Sequence, residues 1–350
     1  MLYEIHQQPA ALERTLNGSL AVVERLRKRI ERRRPRLVVL AARGTSDNAA
    51  QFGRYLLEIT TGIPVSLAAP SIITLYGADV DLRDALVVAV SQSGESTDTN
   101  RVLERAKELG ATTVGITNNA ASTLARLAEY RFLVRAGAER SVAATKTYTG
   151  QVLLFYLLAR ALGAPIPVDD LKRLPAWTQS ALQLEPEIAA LAGRYRFMRH
   201  AVVVGRGLNY SNAYELALKL METCYIVAER FSSADFLHGP IAIVESSFPI
   251  FSFAPPGPTW PPLRRLLETL AGLDAETLLV TDRGNRRSAR FSKHAIVIPQ
   301  NLAAKGPLPR DLYTPIPYIV PMQIFSACLA SEKGLDPDKP RTLSKVTLTM

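Results

Sequence analysis

The sequence predicts an α/β protein of two tandem flavodoxin-like, doubly wound parallel-sheet domains. Three observations carry this: βα alternation in both halves of the 350-residue chain, a long-period repeat of strand-end wording, and a proline-marked junction at mid-chain. The length is too great for one ordinary domain and suits two of middling size, each burying its own core. Hydrophobic residues make up 47% of the chain and charged residues 21%, which excludes a mainly disordered state.

In the first half, helix Leu12–Ile30 carries apolar residues at helical spacing. Short β-branched and aliphatic runs bounded by turn signals follow as strands at Leu37–Ala41, Val65–Leu67, Ala85–Val90, Thr113–Thr117 and Arg131–Val134. Between and after them come longer helical patterns: Asn48–Thr60, Asp98–Leu109 and Lys146–Leu162. The second half repeats the alternation. Helix Leu171–Tyr195 precedes strand Ala201–Val204, helix Ala213–Cys224, strand Ile250–Phe253, helix Leu263–Leu273, strands Thr277–Val280 and Ala295–Ile298, and helix Met322–Glu332.

The halves also share wording. LVVLAARG ends in Arg43-Gly44 and AVVVGRG in Arg206-Gly207, 163 positions later, and ATTVGITNN matches TLLVTDRG at nearly the same distance. APIPVDD, Ala164 to Asp170, marks the junction, so the expected domains are 1–166 and 167–350.

The apolar stretches Val152–Ala159 and Ile316–Ala330 are too short or too proline-punctuated for a membrane span, which needs roughly 18 apolar residues. MLYEIHQQPAALERT lacks the pattern of a secretory signal, so a cytoplasmic protein without a membrane partner is expected. Cys224 and Cys328 suggest neither a disulfide framework nor a metal site. The net charge of +10 gathers in Glu24 to Arg36, where eight basic residues oppose two glutamates. Without a helix-turn-helix, RNP or zinc-finger pattern, this reads as a solvated helix face, and no nucleic-acid partner is expected.

Two constellations carry chemistry. SQSGESTDT, Ser91 to Thr99, sets three serines and a glycine between a strand end and a helix start, where open α/β sheets bind ligands. Hydroxyls, close backbone approach at Gly94 and free helix N–H groups suit a phosphate monoester; Gly44, Thr45 and Ser46 add a second hydroxyl-rich lip. Helix capping is the bland alternative. FPIFSFAPPGP stands at the equivalent place in the second half without serines, so one phosphate site per chain is expected. Neither GxGxxG nor a P-loop occurs at such a junction, so no nucleotide cofactor is expected. The second constellation is YELALKLMETCY, with Glu215, Lys219 and Glu222 on one helical stripe; a solvated ion pair is its structural alternative. His238 in DFLHGP and Lys345 near the chain end are unremarkable singly.

Together RGTS, SQSGES, AGAERSVAATKT, ELALKLME, LHGP and LSKVT resemble the sugar isomerase (SIS) domain family. Within it they are similar to the isomerase half of glucosamine-6-phosphate synthase and to free-standing glucosamine-6-phosphate deaminases. The resemblance implies that Thr45, Ser46, Ser91, Gln92, Ser93 and Ser96 hold the phosphate of a hexose 6-phosphate, with Val142 and Ala144 lining the sugar. It further implies that His238 opens the ring, Glu222 moves a proton between C1 and C2, Lys219 supports the charge and Lys345 meets the ketose carbonyl. The histidine would come from a neighbouring subunit of a homodimer, and no metal or cofactor is implied.

The chain begins Met1-Leu2, with no cysteine before Cys224 to act as a glutaminase nucleophile. The expected reaction is therefore conversion of glucosamine 6-phosphate to fructose 6-phosphate and ammonia. Alternatives are another amino-sugar or fructosamine 6-phosphate isomerase or deglycase, a non-catalytic sugar-phosphate sensor, and a polyanion-binding surface around Arg25 to Arg36. The chain departs from the family pattern at Leu237 and Met221, where basic residues are usual, and at Ser96, where threonine is usual.

Overall fold

The structure, a computed structural model, describes residues 1–345. The chain forms two compact units. The first comprises residues 7–139, 144–172 and, at the chain end, 344–345; the second comprises residues 1–6, 140–143 and 173–343.

The first unit is built on five parallel strands: β1 (Leu37–Ala42), β2 (Val65–Leu67), β3 (Ala85–Val90), β4 (Thr112–Thr117) and β5 (Tyr130–Leu133), in the order β2-β1-β3-β4-β5. The central strand β3, ALVVAV, is buried at every position, as expected of a strand covered on both faces. It pairs with β1 from Leu37↔Ala85 to Ala42↔Val90. On one face Val39, Val87, Ala89, Leu103 and Leu124 form a continuous core. Elsewhere in the unit, helix Thr45–Thr61 lies against helix Lys146–Ala161, which is buried except near Arg160. Gly53 allows their close approach, because the Phe155 ring occupies the space a Cβ would need.

The second unit repeats this plan with β6 (His200–Gly205), β7 (Val227–Ser232), β8 (Pro249–Phe253), β9 (Glu276–Asp282) and β10 (His294–Ile298), ordered β10-β9-β8-β6-β7. Read from the other edge, this is the order of the first sheet, so the shared wording at Arg43-Gly44 and Arg206-Gly207 marks the ends of equivalent strands β1 and β6. Val202, Val204, Ile250, Leu263, Leu267 and Leu279 make its core. Helix Tyr210–Cys224 packs on helix Pro315–Glu332. Glu4 ties residues 140–143 to this unit, its carboxylate accepting from the Arg140 and Ser141 backbone N–H groups.

Several expected elements differ in detail. The single helix Leu171–Tyr195 is instead a series: Val168–Leu171, Leu174–Leu182, Glu185–Ala192 and the 3₁₀ turn Gly193–Tyr195. Pro175 and Pro186 stand in the first turns of the second and third pieces, where a missing N–H is harmless. Helix Met322–Glu332 starts earlier, at Pro315. Pro315 and Pro317 occupy its first turn, and Pro321 is accommodated inside it. Strand β7 was not expected, because VAERFS is an edge strand with exposed Glu229 and Arg230 that blur its alternation. The basic segment is largely solvated. Arg27 pairs with Glu24 and Glu31, Arg33 with Asp84, and Arg34 donates to the Thr61 carbonyl.

Gly53→Ala should destabilise the first unit by about 1–3 kcal/mol through overpacking against Phe155. Urea unfolding monitored by circular dichroism measures this; an unchanged midpoint would mean that the two helices yield freely.

Candidate active site

In the first sheet β2 lies outward of β1 on one side and β4 outward of β3 on the other, so the strand order reverses between β1 and β3. The carboxyl ends of these neighbours carry the two serine-bearing segments. After β1, Gly44 takes φ +56° and helix Thr45–Thr61 starts at once, three residues earlier than expected. Thr45 and Ser46 therefore lie in its first turn. Ser46 Oγ accepts from Gln151 Nε2 at 3.0 Å, leaving its own proton to donate.

After β3 the loop Ser91–Ser96 curls on itself. The Gly94 N–H donates to Ser91 Oγ at 3.1 Å, and the Glu95 N–H donates to Ser93 Oγ at 3.2 Å. Both hydroxyls act as acceptors toward the loop and keep a proton for something else. The loop is clamped from outside, with the Gly94 carbonyl receiving Asn100 Nδ2 and the Leu124 N–H, and the Gln92 carbonyl receiving the Asn118 N–H. Ser96 holds the N-cap position of helix Thr97–Glu108, yet its side chain makes no cap bond and pairs instead with Thr99 Oγ1 at 3.0 Å. The capping explanation therefore does not account for Ser96. Beside the loop, Arg43 Nη2 lies 2.7 Å from Oδ2 of buried Asp98.

In the second unit, helix Tyr210–Cys224 presents Glu215, Lys219 and Glu222 as one buried ionic group. Lys219 Nζ stands 2.5 Å from Glu222 Oε2 and 3.5 Å from Glu215 Oε1. The side chains of Glu215 and Lys219 are 0% and 1% exposed, against 22% for Glu222, so Glu222 alone of the three opens outward. This corrects the solvated-pair alternative, because ions removed from water persist only when closely paired. Cys224, two residues further, is buried, and desolvation pushes its thiol up to about 11, so it is no nucleophile at neutral pH.

His238 follows the short helix Ser233–Leu237 on an exposed loop that Gly239 bends with φ +140°. No hydrogen bond joins its ring to the Glu215–Lys219–Glu222 group. Val142 is half-buried in the second unit, its N–H donating to the Asp338 carbonyl, whereas Ala144 belongs to the first. Lys345, a quarter exposed, pairs at 3.1 Å with Oε2 of Glu139 in the first unit. The last two residues of LSKVT lie outside the described residues. Among the described residues no cluster of three His, Cys, Asp or Glu side chains could hold a metal ion, and no helix is long and apolar enough to cross a membrane.

The family model for the SIS domain matches residues 32–161 and 196–307, one match over each sheet. The chain belongs to the SIS domain family. A relative from Methanothermobacter thermautotrophicus, named glutamine–fructose-6-phosphate aminotransferase (isomerizing), is 36% identical over 348 residues, covering 99% of this chain and 56% of the relative. The chain thus spans little more than half the length of the curated relatives it matches. Among solved structures, a Silicibacter pomeroyi protein described as a proposed phosphosugar isomerase is 32% identical with a TM-score of 0.84, over 97% of this chain and 99% of that one. The C-terminal domain of glucosamine-fructose-6-phosphate aminotransferase from Francisella tularensis is 28% identical with a TM-score of 0.86, over 97% and 98%.

Two buried carboxylates of this SIS chain are not legible from the sequence: Glu139, the partner of the candidate Lys345, and Asp98, beside the serine loop. Glu139 was part of the quoted AGAER run, and Asp98 part of STDT, but nothing in either run announces a buried carboxylate. Their partners Lys345 and Arg43 are 206 and 55 positions away.

Gly94 holds φ +72°, and a Cβ there would collide with Ser122 and stand 2.9 Å from Thr117 Oγ1. Gly94→Ala should therefore deform the SIS serine loop and destabilise the first unit by about 1–3 kcal/mol. Thermal unfolding followed by circular dichroism checks this; an unchanged midpoint would mean that the loop accommodates the added methyl group.

Proposed function

We propose that this chain is a phosphosugar aldose–ketose isomerase acting on an amino sugar, and that it converts glucosamine 6-phosphate and water to fructose 6-phosphate and ammonia. The observation that carries the reading is the Glu215–Lys219–Glu222 group, in which a single carboxylate, held against a buried ammonium, reaches the surface. Isomerisation needs one base that takes a proton from C2 and returns it to C1, and a fixed, partly desolvated carboxylate suits that task. Matches to isomerising aminotransferases and to a proposed phosphosugar isomerase support the same chemistry.

The phosphate sits against the hydroxyls of Thr45, Ser46, Ser91, Ser93 and Ser96 and the Gln92 amide, with Val142 and Ala144 beside the sugar. His238 moves the C1 hydroxyl proton to the ring oxygen, opening the ring. Glu222 then removes the C2 proton while the aldehyde oxygen takes one up, giving an enaminol, and protonates C1 while the C2 amine gives one up. The product is a ketose imine at C2. Water adds to it, ammonia leaves, and the ketone of fructose 6-phosphate remains. Lys219 stabilises the Glu222 charge, and Lys345 meets the carbonyl or imine at C2. Each step is reversible, so ammonia and fructose 6-phosphate run the same path backward.

Leu237 is 44% exposed and Met221 38% exposed, apolar where the family pattern is basic. The two missing positive charges bear on the substrate more than on the reaction type, and a second reading takes a fructosamine 6-phosphate as that substrate.

Ammonia release from glucosamine 6-phosphate should be measurable in wild type and fall about a thousandfold in Glu222→Gln with the fold intact. Release from fructosamine 6-phosphate alone selects the second reading; binding of both sugars without turnover overturns an enzyme altogether.

The exposed His238 ring, bonded to none of the acid–base group, supports a homodimer in which it serves the other copy's site. Glu222→Gln and His238→Ala chains, inactive alone, should then recover about a quarter of wild-type activity after random reassociation. No recovery in verified mixed dimers would assign both residues to one subunit.

A further inference from the structure

We propose that Glu139 is the positioning residue for Lys345, docking its ammonium on a carboxylate built into the start of helix Lys146–Ala161. The proposal rests on the reading that Lys345 meets the sugar at C2, and it adds what holds that lysine in place.

The Glu139 side chain is fully buried, a costly location for a carboxylate unless its oxygens are saturated with donors. They are. Oε1 accepts the backbone N–H groups of Thr145 at 2.9 Å and Thr147 at 3.1 Å. Oε2 accepts Thr147 Oγ1 at 2.6 Å and Lys345 Nζ at 3.1 Å. An ionised carboxylate is acceptor-only with about four lone-pair sites, and four donors converge here. A carboxamide of the same shape would turn an NH₂ toward one pair of donors.

Three of the four donors belong to the start of the 16-residue helix Lys146–Ala161. Its N-cap residue, Thr145, makes no side-chain cap bond, so Glu139 caps the helix from six residues upstream and its charge faces the positive end of the helix dipole. These local bonds hold the carboxylate without help from the chain end, 206 positions away. Lys345 supplies the fourth donor.

The segment leading to Lys345 is held as well. The Arg341 guanidinium lies over the Tyr225 ring at 4.2 Å, and the Arg341 N–H donates to the Tyr225 hydroxyl at 2.8 Å. An ammonium docked on a fixed carboxylate has fewer conformations left, so the lysine does not have to be ordered anew when substrate binds.

A helix cap with no further role would also explain three of these bonds, and the experiment separates the two. Full-length wild type, Glu139→Gln, Lys345→Met and the double variant are compared in two ways. Trypsin cleavage after Lys345 is followed by intact mass, and kcat and KM are measured for ammonia release from glucosamine 6-phosphate.

Docking predicts that Glu139→Gln is cleaved after Lys345 about tenfold faster. It also predicts that kcat falls while KM stays within about twofold, and that Glu139→Gln costs nothing more once Lys345 is methionine. Glu139→Asp should restore part of the protection. Equal cleavage rates in wild type and Glu139→Gln overturn the tether, as do additive losses in the double variant, which identify a cap alone. If Glu139→Gln does not fold, Glu139→Asp carries the test, because withdrawing the carboxylate by one methylene should still speed cleavage, and no change overturns the tether. Glu139-dependent protection in a wild type that releases no ammonia leaves the docking intact and removes only the reaction.

Discussion

A lysine ammonium buried between two carboxylates is the constraint on which helix Tyr210–Cys224 depends. Lys219 and Glu215 have almost no access to water, so each would be strongly unfavourable without its partners. Two negative charges share one positive charge, and Glu222, at the open edge, keeps some hydration. That asymmetry distinguishes the three side chains chemically although they lie on one helical stripe. The helix itself is held by packing against helix Pro315–Glu332, whose long buried run leaves little freedom for the ionic group to relax.

The first unit solves a different problem with neutral groups. Its parallel sheet reverses strand order between β1 and β3, which leaves two loops side by side at adjacent strand ends. Hydroxyls and backbone N–H groups can surround an anion closely only if the chain bends tightly, and Gly94 supplies the left-handed conformation where Ser122 leaves no room for a side chain. Ser91 and Ser93 accept bonds from their own loop, which leaves their protons to donate elsewhere. The same economy recurs at Glu139, where a helix start and a distant lysine share one carboxylate.

The architecture was legible because its signals are local. Runs such as ALVVAV and LVVLAA are apolar at every position, as strands buried on both faces must be, and the shared wording at Arg43-Gly44 and Arg206-Gly207 exposed the duplication. Less legible were elements whose signals conflict. Prolines within a helical pattern divided the segment after Leu171 but were absorbed in helix Pro315–Glu332, because a proline in a first turn costs no bond while one between turns ends a helix unless packing compensates. Strand β7 hid behind its exposed charges.

By itself, the sequence determined the α/β class, the tandem repeat, the serine loop at a strand end and the stripe Glu215, Lys219 and Glu222, since each depends on residue type and short spacing. Tertiary structure decided which of those charges are removed from water, and so turned an ordinary surface pattern into a buried group with one open carboxylate. It also decided the partners joined across long separations, Glu139 with Lys345 and Asp98 with Arg43. The physical reason is that desolvation and ion pairing depend on what surrounds a side chain in space, and a linear pattern of residues carries that information only after the chain has folded.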